Sequence, residues 1–311
     1  MNLDYVIRPV SRELIKSELS DNNFVRDTNK GENEIYIINH HTSPNTMREI
    51  GRLREVTFAS AGGGTGEEVD IDELDTCELN YDQLIVWSPE DEEILGGYRF
   101  FDCTKIKENL SEIDISTKHY FNFSNKFVSD YLPTTIELGR SWVQPDYQPS
   151  ATNRKGLFTL DNLWDGLGAL IILNPTVNYF FGKVTMYTDY NKEARDILLS
   201  FMHHYFPDKE DLVDPILPLD ITNDTSQFIS DLKGLSYKEG HRFLGATLKE
   251  KEERIPPLIN SYMNISDTMK TFGTAGNPEF GGVEETGILV TIKDIHPSKS
   301  ERHIDSFSQK K

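Results

Sequence analysis

Two full charges interrupt a stretch that otherwise reads as a core strand. Thr134-Thr135-Ile136-Glu137-Leu138-Gly139-Arg140-Ser141-Trp142-Val143 starts β-branched, carries apolar Leu138, Trp142 and Val143, and runs into a turn at Pro145. An ion taken out of water costs several kcal/mol unless it is paired, so Glu137 and Arg140 are candidates for proton transfer or anion binding. The plain alternative is a structural Glu–Arg pair on a sheet margin. Strict alternation sends Glu137, Gly139 and Ser141 to one face and Leu138, Arg140 and Trp142 to the other. Both charges reach one pocket only if the strand bulges near Gly139. Arg99, inside Ile94-Leu95-Gly96-Gly97-Tyr98-Arg99-Phe100-Phe101, is a third ion of the same kind.

Two further groups have types and spacing suited to charged ligands. Asn153-Arg154-Lys155-Gly156 leads into a helix beginning near Leu157, and a basic, glycine-containing turn at a helix amino end can hold phosphate through backbone N–H groups and the helix dipole. Glu67-Glu68-Val69-Asp70-Ile71-Asp72-Glu73-Leu74-Asp75 is an acidic run whose plain reading is a solvated face. It follows Ala61-Gly62-Gly63-Gly64-Thr65-Gly66, which lacks the Gly-Lys-Ser/Thr ending of a nucleotide phosphate loop and reads as a mobile loop that closes over a ligand.

The elements around these groups follow from periodicity. Tyr5 to Ile7 reads as a short strand and Asn33 to Ile38 as the first core strand. Ser43-Pro44 signals a helix with a capping hydroxyl, and Met47, Ile50, Leu53 and Val56 recur at helical spacing with Arg54 on the same helix. Gln83 to Trp87 and Ile94 to Phe101 form a hairpin. Helix, strand and helix follow at 157–170, 179–187 and 194–205. Residues 207–250 are polar and partly helical, 272–282 a turn-rich connector, 286–292 a final strand, and the tail beyond Pro297 is expected to be disordered.

Composition narrows the function classes. The 311 residues carry a net charge of −19 with a pI near 4.8, so the chain as a whole repels phosphate backbones and anionic lipid surfaces unless basic residues cluster locally, which argues against nucleic acid as a partner. No stretch approaches the ~20 apolar residues of a membrane span, and the amino end lacks the segments of a signal peptide, so a cytoplasmic protein is expected. Cys77 and Cys103 have no Cys-x-x-Cys spacing and no companion His cluster, so neither a disulfide framework nor a metal site is indicated.

The element order resembles the GNAT acyltransferase fold, an α/β (α+β) architecture with a central mixed twisted sheet flanked by helices. More narrowly, Gly51-Arg52-Leu53-Arg54-Glu55-Val56-Thr57-Phe58, Gly96-Gly97-Tyr98-Arg99, Glu137-Leu138-Gly139-Arg140-Ser141, Leu163-Trp164-Asp165-Gly166-Leu167 and Pro256-Pro257-Leu258-Ile259 resemble the ornithine-acyl-carrier-protein N-acyltransferases, also described as hemolysins, and within them the glycine-lipid branch. The resemblance divides the chain into an N-terminal extension with the first strand (1–44), a GNAT-like domain with a C-terminal elaboration (45–295) and the polar tail (296–311). Arg54, Asp72 with Asp75, Arg99, and Glu137 with Arg140 also match charged positions of the more distant acyl-homoserine-lactone synthases. The tryptophan those enzymes carry before the carboxylates is absent, as is the pyrophosphate motif of coenzyme-A-dependent GNAT enzymes.

The resemblance implies transfer of a (3-hydroxy)fatty acyl group from acyl carrier protein to the α-amine of glycine or ornithine in aminolipid synthesis. Glu137, Arg140 and Arg99 would be catalytic, with Glu137 the general base; Arg54, Asp72 and Asp75 would hold the amino acid; Arg154, Lys155 and Gly156 would take the phosphopantetheine. It implies no permanent cofactor, only the acyl thioester on a carrier protein or coenzyme A. Acyl carrier protein, a downstream O-acyltransferase and transient contact with the inner membrane face are the partners it suggests. The competing classes are a coenzyme-A-dependent GNAT acetyltransferase on a small amine, a lactone-forming synthase, and a non-catalytic hemolysin-like membrane-active protein.

Overall fold

A computed structural model describes residues 3–106, 110–148, 156 and 158–308. The elements run α1 (Arg12–Glu18), β1 (Phe24–Asp27), β2 (Glu34–Ile38), α2 (Pro44–Ser60), α3 (Glu73–Thr76), β3 (Asp82–Ser88), β4 (Glu93–Asp102), β5 (Phe121–Phe123), β6 (Thr135–Val143), α4 (Thr159–Leu173), β7 (Tyr179–Met186), α5 (Lys192–Tyr205), β8 (Val213–Pro215), α6 (Ser226–Leu232), α7 (Tyr237–Glu250), α8 (Pro257–Met263), β9 (Lys270–Asn277) and β10 (Val283–Thr291). Eight strands make one mixed sheet in the order β1-β2-β3-β4-β6-β7-β10-β9, and β5 pairs with β8 apart from it. Within the large sheet only β6 and β7 run parallel.

The parallel pair organises the molecule. β6 and β7 are in register from Thr135–Tyr179 to Leu138–Gly182, and beyond that point they separate while β7 continues along β10 to Met186. Gly182 marks the crotch: a Cβ there would stand 2.4 Å from the Leu138 carbonyl oxygen, so only glycine allows the last close pair before the strands part.

Each sheet face is covered. Leu163, Leu167 and Leu170 of α4 join Leu84, Val86, Ile136 and Leu138 in a core that extends to α5, α7 and α8. On the opposite face Met47, Ile50 and Leu53 of α2 pack with Ile85, Trp87 and Trp142, and an aromatic cluster holds Phe121, Phe127, Phe181 and Phe272.

Several expectations need correction. Residues 5–7 are irregular, not a strand, and Phe24–Asp27 pairs with β2 instead. Ser43 does not cap α2, because Glu18 accepts the free N–H groups of Asn45 (3.0 Å) and Thr46 (2.7 Å). The connector at 272–282 is largely β9, whose small residues form a strand because β10 supplies an antiparallel partner. The Gly-rich loop is fastened, since the buried Glu55 carboxylate accepts from Thr65 N–H at 2.8 Å and Gly66 N–H at 2.9 Å. The tail is helical through Ser308 and docks on α4, where His303 Nδ1 lies 2.7 Å from Asp165 Oδ1. That buried polar contact holds a segment whose composition gave no sign of it.

Candidate active site

β6 carries a bulge at Arg140. Gly97 of β4 pairs with Trp142 and Arg99 with Gly139, so Tyr98 alone faces Arg140 and Ser141. Arg140 takes the left-handed conformation at φ 44°, strain of order 1–3 kcal/mol for a non-glycine residue. The bulge turns Arg140 to the sheet face of Glu137 and Trp142 and leaves Ser141 on the other. Its guanidinium Nε holds Asp70 Oδ2 at 2.9 Å, and the group lies over the Phe280 ring, 4.7 Å from its centroid.

Three arginines and three aspartates form one network beneath the bulge. Buried Arg54 reaches Asp70 through Nε (3.0 Å) and Asp75 through Nη1 (3.2 Å); Arg99 Nη1 reaches Asp72 (2.6 Å) and Asp75 (3.4 Å). Asp72 and Asp75 also form a capping box on α3, which fixes both carboxylates. Burial would raise the Asp70 pKa, but the Arg140 and Arg54 guanidiniums outweigh it and hold the carboxyl far below its usual range. The same contest, won mainly by Arg99, lowers Asp72, whose side chain is 36% exposed. The core of the acidic run is thus paired and not a solvated face.

Glu137 lies elsewhere. The Tyr81 hydroxyl donates to its Oε2 and Thr117 N–H to its Oε1 (2.7 Å), while Ser116 N–H donates to the Tyr81 hydroxyl at 2.9 Å. Burial, and then the Glu137 charge, push the Tyr81 pKa well up, so this phenol is a donor. Arg99 stacks on Tyr81 at 4.8 Å, which links Glu137 to the network without an ion pair to Arg140. Glu137 does not border the cleft described next.

Where β6 and β7 part, a cleft of about 840 Å³ opens. Arg140, Ser141, Lys183, Thr185, Tyr187 and Glu285 supply most of its inner polar lining, and Trp142, Leu160, Met186, Ile255, Leu258 and Phe280 much of its apolar wall. From Gly139 onward β6 has no ladder partner on the β7 side, so that edge of the strand is open to a ligand. Across the cleft, Glu285 Oε1 receives Lys183 Nζ at 2.6 Å and Asn277 Nδ2 at 3.2 Å, and Oε2 receives the Thr185 hydroxyl at 2.7 Å. Burial lowers the Lys183 pKa, as do the nearby Arg140 and Arg99 charges, although Glu285 opposes them. Burial would raise Glu285, but Lys183 and the hydroxyl and amide donors keep it low.

The structure therefore brings Arg54, Asp72, Asp75, Arg99 and Arg140 together, and sets Glu137 behind them. Arg154 and Lys155 lie outside the described residues; Gly156 is in a turn whose carbonyl accepts from Thr159 N–H at 3.2 Å at the start of α4. Lys183 and Glu285 were missed. The signal was present in Tyr179-Phe180-Phe181-Gly182-Lys183-Val184, a charge inside an apolar strand of the same kind as Arg99.

A mixed sheet with one parallel pair that splays beside a bulged strand, and a cleft in the splay, is the architecture of a GNAT N-acyltransferase, and the chain is one. Residues 53–155 match the family model described as "Acetyltransferase (GNAT) domain". The chain is 50% identical over 306 residues to the "Glycine N(alpha)-acyltransferase" of Bacteroides thetaiotaomicron, covering 98% of this chain and 91% of that protein, and 49% identical over 307 residues to the protein of the same name from Phocaeicola vulgatus, covering 98% and 94%. It belongs to the family of these two acyltransferases. No solved structure matches the chain significantly. Among the described residues no helix is long and apolar enough to cross a membrane.

Proposed function

We propose that the protein transfers a long-chain acyl group from a thioester to the α-amine of glycine. The observation that carries this reading is the half identity, over nearly the whole chain, to two proteins named for that activity. The cleft supports it chemically. A donor arm lying in the splay brings the thioester carbonyl to the bulge at Arg140 and Ser141, which has no ladder partner on the β7 side and whose N–H groups suit an oxyanion. Arg140 suits the glycine carboxylate. The ammonium must lose a proton before nitrogen attacks; of the carboxylates lining the cleft, Asp189, Glu252, Glu253 and Glu285, the one paired with Lys183 is Glu285, and it takes the proton in this reading, a role the strand motif alone had suggested for Glu137. Nitrogen then bonds to the carbonyl carbon, the C–S bond breaks, and Lys183, whose lowered pKa makes it a readier acid, protonates the departing sulfur. The products are N-acylglycine and a free thiol.

The donor in this reading is acyl carrier protein, docked by Arg154 and Lys155 beside the turn at Gly156, in a cytoplasmic route to aminolipids that a second, O-acylating enzyme completes. Reversing both charges should raise the apparent KM for the carrier protein and flatten its salt dependence while kcat holds. The reading itself is tested by incubating purified protein with glycine, or ornithine, and hexadecanoyl carrier protein, hexadecanoyl coenzyme A or acetyl coenzyme A. N-hexadecanoylglycine in the mass spectrum is expected; its absence with both long-chain donors sinks the proposal.

A further inference from the structure

Two smaller cavities adjoin the cleft in succession through shared wall residues. The first shares Ser141, Lys183 and Leu258 with the cleft and continues between Leu138, Phe180, Tyr262 and Ile288. The second shares Phe180 with the first and lies between α4 and the C-terminal segment, walled by Trp164, Leu167, Ile171, Ile265, Ile295 and Ile304. Trp164 meets Tyr262 edge to face at 5.4 Å between them. Each has a volume of about 20 Å³, room for about one water.

The direction of this path matters. The outer rim of the cleft carries Asp189, Glu252, Glu253 and Arg254, suited to the polar, amide-bearing arm of the donor. If the thioester lies at the inner end beside Gly139 and Ser141, its hydrocarbon chain has to go deeper, and the surfaces ahead of it are mostly apolar, with Tyr98 and Tyr262 on the first cavity and Ser261, Lys299 and His303 on the second adding polar groups. The end wall belongs to the terminal segment. His303 is clamped by Asp165 (2.7 Å), its carbonyl accepts from Arg26 Nη1 (3.4 Å), and Arg302 pairs with Asp161. Gly168 permits this seating, because a Cβ on it would stand 2.2 Å from the His303 carbonyl oxygen.

We infer that these cavities form the acyl-chain pocket and that the terminal segment 297–308 closes it and sets the length of chain accepted. The inference rests on the acyltransfer reading but not on glycine as the acceptor. An incoming chain displaces Tyr262 and Trp164 and ends against Ile304.

Two measurements test it. Hexadecanoyl coenzyme A bearing a terminal diazirine, photolysed on the intact protein, should label residues 297–308 or Trp164, read by peptide mass spectrometry. In a competition between hexadecanoyl and octanoyl donors, Ile304→Ala should raise the long-to-short product ratio and Ile265→Phe should lower it, each by about tenfold, the worth of a methylene or so in an apolar pocket. Opposite shifts from two folded variants are not what a structural defect gives. Labelling confined to the outer cleft, or an unchanged ratio in both folded variants, overturns the inference. Labelled tail without N-acylglycine would instead retain the pocket and reject the acceptor.

Discussion

Lys183 Nζ lies 2.6 Å from Glu285 Oε1 across the β7–β10 ladder, on the wall of the cleft that opens where β6 and β7 part. If Glu285 is the base, Glu285→Gln should lower kcat by ~10²–10⁴-fold near neutral pH. Activity should partly return at high pH, where more glycine is already neutral, and the donor KM should hardly move. A folded variant with wild-type kcat would reject the assignment.

Glu137→Gln has a different expected outcome. One of the two donors to Glu137, the Tyr81 hydroxyl or Thr117 N–H, would face an amide NH₂, leaving a buried donor unsatisfied at a cost of about 1–3 kcal/mol. Denaturant unfolding should show that loss while kcat stays within a few-fold of wild type. A stable variant with kcat down a hundredfold or more would return the base to Glu137.

Arg140→Lys keeps the charge but not the bidentate geometry. Losing one charge-assisted hydrogen bond to the glycine carboxylate, about 1.5 kcal/mol, corresponds to a rise in glycine KM of about tenfold. Donor KM should be unaffected in steady-state assays; an unchanged glycine KM would place the carboxylate elsewhere.

Asp70 links acid stability to the bulge. Its folded pKa lies below the unfolded value of about 3.9, so below that pH the unfolded chain binds more protons. The stability it supplies is complete above roughly pH 4 and drains as pH falls toward the folded pKa. Asp70→Asn leaves the fully buried Arg54 and the bulged Arg140 short of an anion. It should cost about 3–5 kcal/mol at neutral pH and flatten the acid side of the stability curve. Equal slopes for variant and wild type in acid titrations would contradict this.

Local signals were enough for most of the fold. Alternating and helical apolar patterns gave the cores of β2 to β4, β6, β7 and α2, and the cost of burying charge singled out Arg99, Glu137 and Arg140 as residues needing partners. A bulge near Gly139 stood only as the condition for Glu137 and Arg140 to share a face, and the structure meets it at Arg140. What the chain could not tell in one dimension was which partners these charges have. Charge inside a strand has a price in every fold, but its relief comes from residues distant in sequence: Asp70 for Arg140, Tyr81 and Thr117 for Glu137, Glu285 for Lys183, Asp165 for His303. Only the tertiary structure decided that Glu137 lies behind the network while Glu285 borders the cleft, because β10, which pairs with β7 across about a hundred residues of sequence, delivers that carboxylate to the splay.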